Sequence, residues 1–321
     1  MFKKIPPVLS AKQLIDLAIR KTKKIHIEDR DTRFKIKKNV IAHTESFLGY
    51  IITQLESYVK NFPSIDNLPL FYQELIDINI DTNKLKKALG AVDWARKTCQ
   101  MVATTQAGFL TKSGNVEFLK QKQKEIYGRV SSIVKQVDKE LVFLGKAQFV
   151  LKEFPTIEDV PTVVIAGYPN VGKSSLIRRL SAAKPEVAQY PFTTKQIYVG
   201  HMEQTKHYMK KRYQIIDTPG LLDRPLSERN SIEQQAIAAL THLADLVVFM
   251  IDPTETCGYL QDQQLNLLST MKNIFPDIPF IIVDNKVDMK RTSTDHRQIS
   301  CTTDEGIDML KQEILTLLEK V

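Results

Sequence analysis

Residues 167–174, Gly-Tyr-Pro-Asn-Val-Gly-Lys-Ser, match the pattern G-x-x-x-x-G-K-[ST], and Ser175 follows directly. The chemistry available to such a stretch is phosphate binding. Backbone N–H groups of the loop and of the next helix turn point at phosphate oxygens. Gly167 and Gly172 let the backbone turn sharply and approach closely. Lys173 would lie against β- and γ-phosphates, and the Ser174 hydroxyl would ligate Mg²⁺. The chain has only 12 glycines, so two in one eight-residue loop are not background. Tyr168, Pro169, Asn170 and Val171 fill the loop and are taken as part of the same site.

Three stretches downstream have residue types that extend this chemistry. Thr194 stands twenty residues beyond Ser174, where a loop closing over a γ-phosphate would bring a hydroxyl to the metal. Asp217-Thr-Pro-Gly220 ends an apolar run; Asp217 can hold a metal-bound water and the Gly220 N–H can contact the γ-phosphate. Asn285-Lys286-Val-Asp288 selects the base. A carboxylate at 288 accepts hydrogen bonds from N1–H and the 2-amino group of guanine, and adenine has neither donor. Asn285 would steady its loop with the base in reach, and the Lys286 stem would cover the ring. Ser300-Cys301-Thr302 would set a backbone N–H near the guanine O6, with Cys301 as a small packing residue.

The elements these residues need are present. A β-branched run from Pro161 precedes the loop and Leu176-Ile-Arg-Arg-Leu180 follows it. Strands ending at Asp217, Ile251 and Asp284 and a last strand near Gln298–Ser300 alternate with helices near 231–243, 260–273 and 306–320. That order predicts an α/β, mostly parallel, doubly wound sheet with phosphates at its carboxyl edge. Leu151–Pro161, with two prolines and local acid, reads as a hinge, so the expected domains are 1–154 and 155–321.

The first domain reads as all helical. Ser10-Ala-Lys-Gln13 is a capping box. A helix follows Asp31 and ends at Asn61, a short one starts at Pro69, and a fourth carries Leu85 to Met101. A long fifth, from near Gly114, holds apolar residues from Ile126 to Leu144 at three- and four-residue steps. Trp94 is expected in the core or at an interface. Residues 1–150 contain 26 Lys+Arg against 15 Asp+Glu, a net of +11 in a chain of net +8. The densest run includes Lys21, Lys23, Lys24, Arg30, Arg33, Lys35, Lys37 and Lys38. Such asymmetry points to a polyanion, and helices without a stacking sheet point to folded RNA read by shape and backbone.

No apolar run is long enough to span a bilayer, and Met-Phe-Lys-Lys-Ile-Pro-Pro is not a signal peptide. Three isolated cysteines suit a reducing cytosol.

The order of these motifs resembles a Ras-like GTPase over 161–320. Gly-Tyr-Pro-Asn-Val-Gly-Lys-Ser with Tyr190-Pro-Phe-Thr-Thr194 narrows the likeness to the Obg-like branch. The stretch from Asp217 to Gln234, Phe249–Tyr259, Pro63–Leu75 and Lys84–Ala95 resemble the nucleolar GTP-binding protein family, and the last GTPase helix ends near Val321, as in a compact archaeal type. The resemblance implies a GTPase that binds ribosomal RNA and assists assembly of the large ribosomal subunit. It implies GTP/GDP and the subunit precursor as partners, a monomer on the particle, and a cytoplasmic, ribosome-associated location. Many GTPases have a Gln after the position of Gly220; Leu221 stands here and cannot orient water, so slow unaided turnover is expected. Asn170 matches an asparagine that in related GTPases often ligates potassium, and shaping of the loop is the alternative. Lys173, Thr194, Gly220 and Asn170 are the candidates for catalysis. An RNA-modifying GTPase would need a second catalytic cluster, which the first half lacks; a scaffold with structural nucleotide, or a translation-associated GTPase with little turnover, is the third reading.

Overall fold

In a computed structural model the structure describes residues 2–112, 115–189, 196–206, 209–219, 222, 223, 229 and 231–320. The chain forms two compact units, and they are not the two contiguous halves. One comprises residues 1–67 and 80–152; the other comprises 68–79 and 153–321.

The first unit is a helical bundle of α1 (Ala11–Thr22), α2 (Thr32–Asn61), α4 (Thr82–Lys112), α5 (Val116–Gln136) and α6 (Asp138–Glu153). Ser10 caps α1 through a reciprocal pair with Gln13, and Asp31 caps α2 through the N–H groups of Arg33 and Phe34. The central α2 buries Val40, Thr44, Phe47, Leu48, Ile51, Leu55 and Tyr58, the stripe that three- and four-residue spacing requires. Phe47 stacks on Tyr127 of α5 at 4.1 Å.

One expectation needs correction. The long fifth helix is two: Val137 leaves helical geometry at φ −103°, ψ 20°, and the Asp138 carboxylate turns to accept the Ala11 N–H at 2.7 Å. Trp94 is about half exposed, which leaves the interface reading of the two and removes the core one. The helix begun by Pro69, α3 (Leu70–Ile80), groups almost wholly with the second compact unit. The buried Tyr72 hydroxyl donates to the Pro155 carbonyl and accepts from the Ile157 N–H, each at 2.8 Å. Glu74 also meets His242 at 2.9 Å.

The second unit is a seven-stranded sheet in the order β2-β3-β4-β1-β5-β6-β7. The strands are β1 (Thr162–Ala166), β2 (Glu186–Gln189), β3 (Gln196–Lys206), β4 (Met209–Asp217), β5 (Leu246–Ile251), β6 (Phe280–Asp284) and β7 (Arg297–Gln298). β4, β1, β5, β6 and β7 are parallel; β2 and β3 join antiparallel at one edge. β1 and β5 are buried along their whole length, which is why they read as unbroken apolar runs. α7 (Lys173–Leu180), α8 (Ser231–Thr241), α9 (Gln261–Ile274) and α10 (Ile307–Leu318) are the helices between and after the strands.

No described helix is long and apolar enough to cross a membrane.

Candidate nucleotide site

The carboxyl ends of β1, β4, β5 and β6 bring the phosphate loop, Asp217 and Asn285–Asp288 to one edge. Register fixes this: Ile165 is opposite Asp217, and Ile251 is opposite Asp284. At the end of β1, Gly167 has φ +137°, and a Cβ there would stand 2.5 Å from the Met250 carbonyl oxygen. Only glycine fits. Gly172 has φ +110°, and its Cβ would meet the Asn285 Nδ2 at 2.2 Å. Asn170 is left-handed at φ +63°, a conformation asparagine tolerates better than most residues. Its side chain is exposed. Gly172 begins α7 without a side-chain cap, so the helix opens on backbone alone.

Lys173 is buried, and its Nζ curls back to donate to the carbonyls of Gly167 at 2.7 Å and Tyr168 at 2.8 Å. Burial pulls its ammonium below the ordinary lysine value, against the opposing pull of Asp217 and Asp223. Asp217 is fully buried and burial pushes its carboxyl up. Its Oδ2 accepts the Ser174 hydroxyl at 3.0 Å; its Oδ1 is buried with no hydrogen-bond partner among the described residues. A hydroxyl beside an unsatisfied carboxylate oxygen is an all-oxygen donor set of the kind Mg²⁺ takes, with phosphate and water completing the shell. The site residues present therefore fit the ion. Thr194, Gly220 and Leu221 lie outside the described residues.

On the base side, Asn285 holds three elements together. Its backbone N–H donates to Ile251 at 2.9 Å, its Nδ2 donates to the Val171 carbonyl at 2.8 Å, and its Oδ1 accepts the Cys301 N–H at 3.1 Å. Its visible work is bracing. Asp288 is exposed, and its Oδ1 accepts the Ser300 hydroxyl at 2.5 Å. Ser300 Oγ in turn accepts the N–H groups of Thr302 and Thr303 at 3.2 Å. Cys301 is buried, which raises its thiol to about 11 and keeps it protonated at neutral pH. Ser175 is exposed at the first turn of α7.

Two supporting clusters go beyond the sequence expectations. Asp252, just past β5, is fully buried and pairs with the Lys286 ammonium at 2.6 Å. Burial pushes its carboxyl up, but Lys286 and Thr254 bring it below the usual aspartate value. Asp284, beside Asn285, accepts the hydroxyls of Thr292 (2.6 Å) and Thr294 (2.7 Å) and contacts His296 Nδ1 at 2.9 Å. One signal was available: three apolar runs end in aspartate, at 217, 252 and 284.

Residues 2–158 match the family described as the NOG1 N-terminal helical domain, and residues 162–286 match the 50S ribosome-binding GTPase family. The uncharacterized protein MJ1408 of Methanocaldococcus jannaschii is 38% identical over 292 residues, covering 90% of this chain and 81% of that protein. Nucleolar GTP-binding protein 1 of Drosophila melanogaster is 36% identical over 295 residues, covering 90% of this chain and 44% of that one. Its counterpart in Encephalitozoon cuniculi is 32% identical over 332 residues, covering 98% and 62%.

The chain belongs to the nucleolar GTP-binding protein family.

As a family member it joins a helical N-terminal domain to a P-loop GTPase domain with a mostly parallel sheet. It spans 44% and 62% of the length of these two eukaryotic family members.

Proposed function

We propose that the protein binds GTP, hydrolyses it slowly to GDP and phosphate, and uses the nucleotide state to time its residence on the rRNA of a large-subunit precursor. One observation carries the nucleotide half of this reading. Lys173, Ser174, Asp217 and Asp288, drawn from three separate stretches, converge on one sheet edge with their supporting bonds already made.

Lys173 would exchange its two carbonyl partners for β- and γ-phosphate oxygens. Asp288, fixed by Ser300, would accept N1–H and the 2-amino group of guanine. Asn285 would hold the phosphate loop against the base loop while this happens. Ser174, Asp217 and Thr194 would hold Mg²⁺, which when bound neutralises charge on the β- and γ-phosphates. Leu221 offers the attacking water no hydrogen bond, so a partner or an ion at Asn170 supplies the missing help. Equal turnover in sodium and potassium buffers would discard potassium as that ion.

The RNA half is supported by charge. The first 150 residues hold the whole positive excess. Among the eight basic residues singled out, Lys21 sits over the Tyr50 ring at 4.1 Å, and Lys35 and Lys38 pair with Glu28 and Asp29 at 2.6 Å. Lys23, Lys24, Arg30 and Arg33 are exposed. A monomer on the particle, in the cytoplasm, goes with this reading.

The test is sedimentation of the full chain with large ribosomal subunits in GTP analogue or GDP, beside a hydrolysis assay with Mg²⁺. Nucleotide-dependent cosedimentation supports the proposal; identical binding in both states removes the timing role. Leu221 favours one second reading, a scaffold in which nucleotide is structural. No turnover with Mg²⁺, potassium and subunits together would select it.

A further inference from the structure

We propose that Asp252 is a positioning residue for the base side of the site, holding the Lys286 ammonium so that the stem would cover a guanine; this rests on the reading of the chain as a GTP-binding protein.

Asp252 stands one residue beyond β5, and its carboxylate is saturated. Oδ1 accepts the Thr254 N–H at 3.0 Å and the Thr254 hydroxyl at 2.5 Å. Oδ2 accepts the Cys257 N–H at 2.8 Å, the Thr256 hydroxyl at 3.1 Å and the Lys286 ammonium at 2.6 Å. Its backbone is held as tightly. The buried Gln264 side chain accepts the Asp252 N–H at 2.8 Å and donates to the Asp252 carbonyl at 3.0 Å. A carboxylate fixed at both ends makes a rigid anchor.

Lys286 gains from that anchor at each end of its stem. Its backbone is in the left-handed region at φ +65°, directly after the braced Asn285. Its Nζ is held by Asp252 and by the Thr256 hydroxyl at 2.8 Å. A free lysine stem samples many rotamers, whereas one pinned at both ends is ordered before a ligand arrives. Ordering in advance removes part of the cost of binding. The same support reaches the phosphate loop. Gln264 Nε2 also donates to the Tyr259 carbonyl at 3.0 Å, and the Tyr259 ring stacks on Tyr168 at 4.0 Å and 27°. The Asp252–Gln264 unit therefore sets Lys286 on one side and Tyr168 on the other.

The competing account is that Asp252 only shapes its own turn through Thr254 and Cys257. A double-mutant cycle separates the two. Asp252→Asn is made in the natural chain and in Lys286→Met, and affinity for a fluorescent GDP is measured beside the unfolding temperature. The proposal expects Asp252→Asn to weaken GDP about tenfold in the natural background and less than about twofold with Met at 286, where no ammonium remains to be placed. Equal losses in both backgrounds, or no loss in the natural one, overturn it. Where Asp252→Asn does not fold, Thr256→Val removes one of the two acceptors on Nζ and reads the same cycle with a smaller loss. A natural chain that binds no GDP defeats the underlying reading instead, and that result is distinct from a failed cycle.

Discussion

Asn285 donates its side-chain amide to the Val171 carbonyl at 2.8 Å, across 114 residues of sequence, and the glycine after Val171 is the residue that makes room for it. Asn285→Ala leaves two buried groups, the Val171 carbonyl and the Cys301 N–H, without these partners. It should cost about 1–3 kcal/mol of stability in urea unfolding and weaken GDP. Gly172→Ala should be worse for binding, since its Cβ meets both a positive φ and the Asn285 amide. Unchanged GDP affinity in either variant would mean that the two loops are not held together through this contact.

Asp217 gives a stability prediction with a definite sign. Burial raises its carboxyl, so the protonated form favours the fold. That contribution is complete below the ordinary aspartate value of about 3.9 and is lost as pH climbs through the raised value. At neutral pH, where the unfolded chain's carboxyl is ionised, burying this group costs stability in the nucleotide-free chain. Asp217→Asn, which can still accept the Ser174 hydroxyl, should raise Tm by about 2–4 °C while weakening Mg²⁺-dependent nucleotide binding. A fall in Tm would show that Lys173 stabilises the carboxylate more than burial opposes it.

The phosphate loop is legible in the sequence because its parts are consecutive: a buried β-run, two glycines and Lys-Ser within eight residues. The turn that carries Asp288, directly after β6, is legible for the same reason. The Asp252 anchor is not, since its partners Gln264 and Lys286 are 12 and 34 residues away and any aspartate can end a strand. The break at Val137 is hidden because apolar spacing runs through it; a contact from Asp138 to the start of α1 sets it. β2 and β3 are not among the strands expected from the sequence, and nothing local assigns α3 to the sheet unit. Tyr72 does that, from across 83 residues.

Tyr72→Phe tests that placement. It removes a buried hydroxyl that both donates to Pro155 and accepts from Ile157. The expected cost is about 1–3 kcal/mol, with faster hydrogen exchange at the Ile157 amide. Unaltered exchange there would mean that the hydroxyl does not hold the segment after α6.

The basic run divides into engaged and unengaged charges. Lys35 and Lys38 already face carboxylates, and Lys38 holds the Asp29 carboxyl below its usual value. Reversing Lys23 and Arg33 should therefore reduce rRNA binding more than reversing Lys35 and Lys38. For every phosphate that is no longer neutralised, the salt slope should fall by about 0.7–0.9, with GDP affinity unchanged. Equal effects from both sets would remove the distinction.

The central claim is that this edge of the sheet takes a guanine nucleotide, and base selection at Asp288 tests it most directly. GDP, ADP and XDP are titrated against the natural chain and against Asp288→Asn. The natural chain should bind GDP at least about 100-fold tighter than ADP, because an adenine leaves the carboxylate unpaired. Asp288→Asn should lose GDP and gain XDP, whose 2-carbonyl accepts the new amide. ADP binding as tight as GDP, or a GDP affinity indifferent to the substitution, would contradict the account.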